Sequence, residues 1–589
     1  MENPNTFYKQ ALEQHQKDVK LLFQKLTTLS VARLLVFVST FVAVYFTFSN
    51  LQIAVLILIA GIVGFAVLLS KYTDLKAQHH LKKALVAINE EELKIASGDF
   101  HDREDGLQFQ NPNHAFSLDI DLFGKGSFFQ FINRTATEEG AKALVAELTA
   151  NNITSIASRQ EAIKELSEKP TWRQHFSAVA SLIKTETPAL QIVDWLKNHS
   201  YFLPKIIRVL PLVFTVCSIM ILLLAIFNVI SFLYVGFWLL LGLGISGVYL
   251  KKINMLSANT DIVKDTFKQY ASLLKQIESA NFSSALLKEK QAYIQQESKK
   301  ASFIFQQFSK NLDALDNRNN FLYAIFANGY FLSDLRNAYQ IEQWIAQYKT
   351  TVAHWFEVVS FFDTYNTLGN YVFNHPDYVI PEIVNTNEVI HAKDLGHPLL
   401  DASKRITSDL LIGDQQFFIV TGANMAGKST FLRTVSLHIV MANVGLPVCA
   451  SSSKYNPIKL ITSMRTSDSL TDDSSYFFSE LTRLKLIVDT LKDDRYFIIL
   501  DEILKGTNST DKAIGSRKFV EKLVSKNAIG IIATHDLSLC KIEKELEEVK
   551  NYYFDAEIIN DELFFDYKLK QGICQNMNAS FLLKKMEII

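Results

Sequence analysis

Gly422-Ala-Asn-Met-Ala-Gly-Lys-Ser429 follows, one residue on, the apolar run Phe417-Phe-Ile-Val420, and the pair decides how the chain is read. The octapeptide fits G-x-x-x-x-G-K-[ST]. Its glycines let successive backbone N–H groups curl round a phosphate, while the helix that follows points its positive end at the same anion. The run before it suits a strand buried on both faces. Lys428 would neutralise the β- and γ-phosphates, and the Ser429 hydroxyl would sit on Mg²⁺.

A second apolar run, Tyr496-Phe-Ile-Ile-Leu500, ends in Asp501-Glu502. An aspartate there can hold Mg²⁺ with Ser429, and the adjacent glutamate can polarise an attacking water. A third run, Ile529-Gly-Ile-Ile-Ala533, leads into Thr534-His535-Asp536 and sets a histidine where it could sense a γ-phosphate. Together these elements predict ATP hydrolysis with Mg²⁺, Lys428, Glu502 and His535 being the catalytic candidates and Ser429 and Asp501 the metal ligands.

The chain has 589 residues, enough for several domains, and a formal net charge of −1, which sets up no global basic field for nucleic acid. Cys217, Cys449, Cys540 and Cys574 are far apart and form no C-x-x-C. Neither a disulfide framework nor a zinc site is read from them, which suits a reducing compartment.

Four stretches are almost wholly apolar: Leu34 to Phe48, Ile53 to Leu69, Val209 to Phe227 and Val229 to Leu250. Each approaches the ~20 residues that cross a bilayer as a helix. Short breaks at Ser49-Asn50 and Asn228 make them two helical hairpins. Lys20, Lys25, Arg33, Lys71 and Lys76 flank the first, and Lys205, Arg208, Lys251 and Lys252 the second. The positive-inside rule then puts the hairpin bases, the soluble mass and both termini in the cytoplasm of an integral multi-pass membrane protein. The spans carry no ionisable residue at mid-membrane, so they read as anchors rather than a transport path. A charged stretch before the first span argues against a cleaved signal peptide.

Between these landmarks, Tyr72 to Ser97 has helical periodicity and Phe116-Ser-Leu-Asp-Ile-Asp-Leu-Phe123 alternates like a strand. Helices are expected from Thr137 to Lys197 with breaks at Pro170 and Pro188, and two or three long helices from Asp261 to Gln347.

The motifs carry a family resemblance. Thr421-Gly-Ala-Asn-Met-Ala-Gly-Lys-Ser-Thr430 resembles the phosphate loop of the MutS family, Ser475-Tyr-Phe-Phe-Ser-Glu480 its S-T-F-x-x-E signature, Asp501-Glu-Ile-Leu-Lys-Gly-Thr-Asn508 its D-E-x-x-x-G-T, and Thr534-His535 its A-T-H strand end. Gly572-Ile-Cys-Gln-Asn-Met-Asn-Ala-Ser580 is similar to the family's closing segment, and Asp119 to Ser127 with Arg159-Gln-Glu-Ala-Ile163 resembles the start of its helical core. The resemblance implies an ABC-type dimeric ATPase. Gly422, Ala423, Asn424, Met425, Ala426, Gly427, Lys428, Ser429 and Thr430 would then bind nucleotide. Ser475 would reach the partner subunit's γ-phosphate in trans, and Asp511 would face the dimer interface. Two family features are missing: a mismatch-recognition domain with F-x-E, and a connector domain. DNA enters as a partner through the resemblance alone.

The expected architecture is therefore an α/β P-loop NTPase domain of ABC/MutS type with an all-α lever and core domain bearing the two transmembrane hairpins. Its divisions are an amphipathic helix over 1–30, hairpins at 31–70 and 206–250, a helical connector at 71–114, core and lever segments at 115–205 and 251–394, and the ATPase over 395–589. The expected function is that of a membrane-anchored, homodimeric ATPase driving lever-like motion on DNA or on a protein partner of unknown identity. The alternatives are an ABC-type transporter or membrane-complex ATPase acting on a protein or lipid, and a scaffold that binds ATP without hydrolysing it.

Overall fold

The computed structural model describes residues 3–183, 187–295, 299–465, 476–492, 494–559 and 562–575. α1 (Pro4–Thr47) and α2 (Leu51–Ala96) run antiparallel, packed along their length, with Asn50 capping α2 through the Ile53 amide at 3.4 Å. Gly61 faces Thr40 so closely that a Cβ would come within 2.3 Å of it. The expected amphipathic helix and first span form one helix, as do the second span and the connector as far as Ala96, whereas residues 97–114, expected to be helical, are turns around a short 3-10 helix at Leu107–Phe109. No proline or glycine follows Pro4 in α1 to interrupt it.

The stretch Phe116 to Phe123 is a set of turns, not the expected strand. His114 Nδ1 accepts the Phe116 and Ser117 amides, and the Phe116 carbonyl accepts those of Asp119 and Ile120. The alternation misled because Ser117 and Asp119 are as buried as their apolar neighbours. Asp119 faces the backbone of a strand described below, not solvent.

α3 (Phe128–Ile132), α4 (Glu138–Thr149), α5 (Ile156–Ser167), α6 (Pro170–Ser181) and α7 (Ala189–Asn198) follow. Pro170 lies in the first turn of α6 and Pro188 just before α7, where their missing N–H groups are harmless. α8 (Leu210–Ile226) and α9 (Phe232–Ser279) form the second apolar pair, with Asn228 left-handed at φ 57° in the turn. By length and composition α1, α2 and Phe232–Thr260 of α9 could cross a membrane, whereas α8, with 17 residues, is shorter.

Beyond Asp261 the two or three long helices expected are the end of α9 and four shorter ones: α10 (Ala285–Tyr293), α11 (Ala301–Asp316), α12 (Phe321–Phe331) and α13 (Ser333–Tyr348). Their breaks are made by distant or local side chains. Glu165 accepts the Ser283 and Ser284 amides at 2.8 Å each, ahead of α10, and Asn320 caps α12. α14 (Val352–Asn374) is the buried axis of this half. Its Asp363 accepts the Ala136 and Thr137 amides and the Thr137 hydroxyl, so one carboxylate fixes the turn into α4. Complete burial pushes that carboxyl up to about 6 against these three bonds.

The second half contains a four-stranded sheet of β1 (Glu382–Ile383), β2 (Glu388–Leu395), β3 (Ser408–Gly413) and β5 (Ser452–Tyr455), in the order β1-β5-β2-β3. A larger sheet has β4 (Phe417–Gly422), β6 (Lys459–Ser463), β7 (Tyr496–Asp501), β8 (Ile529–Ala533), β9 (Val549–Phe554) and β12 (Leu569–Gln571), ordered β12-β9-β4-β8-β7-β6. Only β12 is antiparallel to its neighbour. A hairpin, β10 (Glu557–Ile559) and β11 (Glu562–Phe564), stands apart. Three helices complete this half: α15 (Lys428–Val444), α16 (Tyr476–Thr490) and α17 (Ser509–Val524). Every residue of β4 is buried, as the continuous apolar run predicts for a central parallel strand.

The halves are joined by polar contacts to backbone. The Asn151 side chain pairs with the N–H and C=O of Leu460 at 2.8 Å each, and the Thr462 amide donates to the Ala115 carbonyl, so the open edge of β6 is covered. Asp119 accepts from the Thr462 hydroxyl and from the Met464 and Arg465 amides. Arg159 donates to the Asn443 carbonyl at the end of α15.

Candidate functional site at the ends of three parallel strands

β4, β7 and β8 all point their C-terminal ends at one cleft, where an open α/β sheet gathers its chemistry. β4 delivers the glycine-rich loop. Gly427 is left-handed at φ 103°, and a Cβ there would press on the Tyr567 ring at 3.1 Å, so the turn into α15 needs glycine twice over. Met425 is also left-handed and largely exposed at the loop tip.

Lys428 opens α15 and folds back into the loop. Its ammonium donates to the Gly422 and Ala423 carbonyls at 2.9 Å each and lies 3.3 Å from His535 Nε2. Burial lowers its pKa, while Asp501 and Glu502 draw it back up. Ser429 donates its hydroxyl to Asp501 Oδ2 at 2.7 Å. Burial raises the Asp501 carboxyl, and the Ser429 bond opposes that. A hydroxyl and a carboxylate side by side, next to a buried ammonium, are hard oxygen donors suited to Mg²⁺ with a phosphate.

Glu502 lies one residue beyond β7 with φ 49°, an uncommon conformation for a side chain of its size. Its Oε1 is 2.9 Å from His535 Nε2, and that hydrogen bond holds the carboxyl down to about 2. One Nε2 cannot both donate to Glu502 and accept from Lys428. The shorter contact makes it the donor to the carboxylate, and the ammonium keeps its two carbonyls.

Glu480 had no role read from sequence beyond its place in a motif. It is buried on α16 and accepts the Leu504 amide at 2.5 Å and the Lys505 amide at 3.1 Å. It thereby grips the loop that carries Glu502. Burial raises its carboxyl, and the two amides work against that rise.

A cavity of 520 Å³ opens over the loop. Asn424, Lys428, Ser429, Thr430, Glu502 and His535 are among its polar lining residues, and Leu395, Leu400, Ile406, Phe554 and Tyr567 among its apolar ones. A lining that offers both suits a nucleotide's two chemistries. Tyr567 and Phe554 carried no spacing signal. Only the return of β9 and the chain after β11 brings them here.

Ser475 falls outside the described residues, as does Gly572 to Ser580 beyond residue 575. The Cys574 amide donates to Thr421 Oγ1 at 3.3 Å, bringing the start of that closing segment against the loop. Asn508 caps α17 by accepting the Asp511 amide, and its own amide group donates to the Asp511 carboxylate at 2.7 Å. Asp511 is exposed on this first turn.

Residues 418–585 match the family description MutS domain V. Human MutS protein homolog 4 is 33% identical over 224 residues, 36% of this chain and 23% of that protein. The DNA mismatch repair protein MutS of Thermodesulfovibrio yellowstonii is 33% identical over 229 residues, 37% of this chain and 26% of its own length. That of Clostridium beijerinckii is 29% identical over 273 residues, covering 45% and 28%. The chain thus spans between 23% and 28% of these three relatives. Loop, strand ends and domain match agree, and residues 418–585 of the chain are similar to MutS domain V.

Proposed function

We propose that the chain is a Mg²⁺-dependent ATPase of P-loop type, dimeric and anchored in a membrane by its two apolar helix pairs. The observation that carries the enzymatic reading is the meeting of Lys428, the Ser429–Asp501 pair and the His535–Glu502 pair around one cavity. The loop amides and Lys428 would bind the phosphates. Ser429 and Asp501 would hold Mg²⁺, which supplies charge neutralisation at the phosphate oxygens. Glu502, a carboxylate at neutral pH, would orient and polarise the attacking water, with His535 fixing its direction. Ser475 would complete the partner's site in trans, shielding the γ-phosphate from bulk water.

Membrane anchoring is supported by length and surface. Phe41, Phe46, Leu56, Leu212 and Phe237 are among many large apolar side chains on these helices that face outward. At 1.5 Å per residue α8 reaches about 26 Å, short of but near the ~30 Å hydrocarbon core. Basic residues at the open ends support a cytoplasmic side for the remaining mass.

The relatives named for DNA mismatch repair suggest DNA as the partner. One observation favours a protein or lipid partner instead. Lys264 pairs with Asp313 and Asp316, and Lys268 with Asp313, so these lever lysines are already neutralised. The test is the ATPase rate of detergent-purified protein with duplex, mismatched and branched DNA at several salt concentrations. Stimulation that fades with salt supports DNA. A rate indifferent to every DNA excludes it as the working partner, and no hydrolysis at all sinks the enzymatic reading.

A further inference from the structure

We propose that α12 is a third membrane element, a half-helix that enters the lipid beside α8 and α9 and ends inside it; this rests on the membrane reading above. The sequence pattern did not single it out, because eleven residues are too few to span.

The contacts set its path. Just before α12, Arg318 donates to Asn254, near the polar end of the apolar part of α9. Near its other end, Gly329 lies against Gly242, twelve residues back along α9 and about 18 Å nearer the apolar turn. α12 therefore climbs α9 from the basic base toward mid-hairpin. The seam is made of small residues: a Cβ on Gly242 would come within 2.2 Å of the Gly329 carbonyl oxygen, and one on Gly329 within 2.7 Å of Leu239. Such close backbone approach is how helices associate in lipid.

A helix ending in hydrocarbon must have its terminal backbone groups satisfied by protein. Here they are. The Ser218 hydroxyl on α8 lies 2.7 Å from the Tyr330 carbonyl, while Trp238 Nε1 donates to the same hydroxyl at 2.7 Å. Asn328, buried within α12, accepts the Asp334 amide at the start of α13. Arg318 and Asp334, both mostly buried, pair at 3.4 Å, so the charges flanking the helix are matched.

The opposite face is apolar and uncovered. Phe321 is 74% exposed, Leu322 66% and Phe326 54%, with Tyr323 and Phe331 beside them. This face continues the outward apolar surfaces of α8 and α9, and its aromatics suit the boundary between headgroups and acyl chains. Acyl chains are the occupant that matches both neighbours.

The experiment uses the full chain with Cys217, Cys449, Cys540 and Cys574 replaced by alanine and one new cysteine for a fluorophore. The sites are Phe326→Cys, Phe321→Cys as a second position, Phe237→Cys on α9, and Glu357→Cys on α14. Each is reconstituted in phosphatidylcholine vesicles with plain or brominated acyl chains. Quenching by brominated lipid at Phe326 or Phe321 comparable to that at Phe237, and absent at Glu357, is the expected result. Quenching at Phe237 without quenching at either α12 position overturns the proposal and leaves the anchoring intact. No quenching at Phe237 overturns both. A disulfide between two copies through the Phe326 position, without quenching there, overturns the proposal in favour of a second copy as occupant.

Discussion

The Leu504 amide donates to the Glu480 carboxylate at 2.5 Å, tying α16 to the loop behind Glu502. Glu502 and Leu504 both have positive φ, at 49° and 60°, so this loop is held in a conformation it would not choose alone. α16 begins one residue after Ser475. A displacement at the start of α16 therefore has a short covalent and hydrogen-bonded route to the Glu502 carboxylate, the proposed water-orienting group.

Replacing Glu480 by alanine removes two amide acceptors and should lower kcat about ten- to hundredfold, since hydrogen bonds to a charged group contribute roughly 1.5–3 kcal/mol. Nucleotide affinity should change little, because Glu480 does not line the cavity. Glu480→Gln keeps one good acceptor and should lose less. Steady-state rates with an equilibrium ATP titration check this, and an affinity loss as large as the rate loss would contradict a positioning role.

Lys428→Ala should abolish ATP binding, by removing the buried ammonium at the loop. Glu502→Gln should bind ATP as well as the unchanged protein and hydrolyse it about 10²- to 10⁴-fold more slowly. Binding by filter or fluorescence assay, beside single-turnover rates, separates the two outcomes. Wild-type hydrolysis by Glu502→Gln would remove Glu502 from the mechanism.

The strand ends were legible in sequence because buried parallel strands leave continuous apolar runs, and phosphate chemistry demands glycines and a lysine at fixed spacing. What escaped depended on long-range partners. Phe116 to Phe123 alternated like a strand, yet its Asp119 is a buried acceptor that holds the end of β6. The breaks beyond Asp261 are set in part by Glu165, far away in the chain. Tyr567 reaches the cavity only through the path of the sheet's last strands, and α12 was too short to register as a span.

His535 governs how Glu502 titrates. Glu502 is held at about 2, below its ordinary 4.5, chiefly by the His535 hydrogen bond. The native state therefore favours the carboxylate: this contribution to stability is present above pH 4.5 and lost as pH falls toward 2. The hydrolysis rate should accordingly show no acid limb from Glu502 near pH 4–5. In His535→Ala the carboxyl should move back toward its ordinary value, and an acid limb should appear there. Rate profiles over pH for both proteins test it, and superimposable acid limbs would show that His535 does not set the Glu502 charge.

Asp119 joins the helical half to the strand leading into the signature segment, taking the Thr462 hydroxyl at 2.5 Å and the Arg465 amide at 2.8 Å. It is buried, so alanine there strands three donors, including the Met464 amide. The expected destabilisation is about 2–4 kcal/mol, the sum of unsatisfied groups reduced by local relaxation. Asp121 gives a contrast, because its ion pairs with Arg465 and Arg433 are largely exposed and should contribute roughly 0–1 kcal/mol. Denaturant titration of Asp119→Ala and Asp121→Ala reads both. ATPase activity should fall in Asp119→Ala even where the fold is intact, because Arg465, ten residues before Ser475 in the chain, has lost its anchor to the helical half. Equal stability losses in the two variants would mean that the seam is held elsewhere.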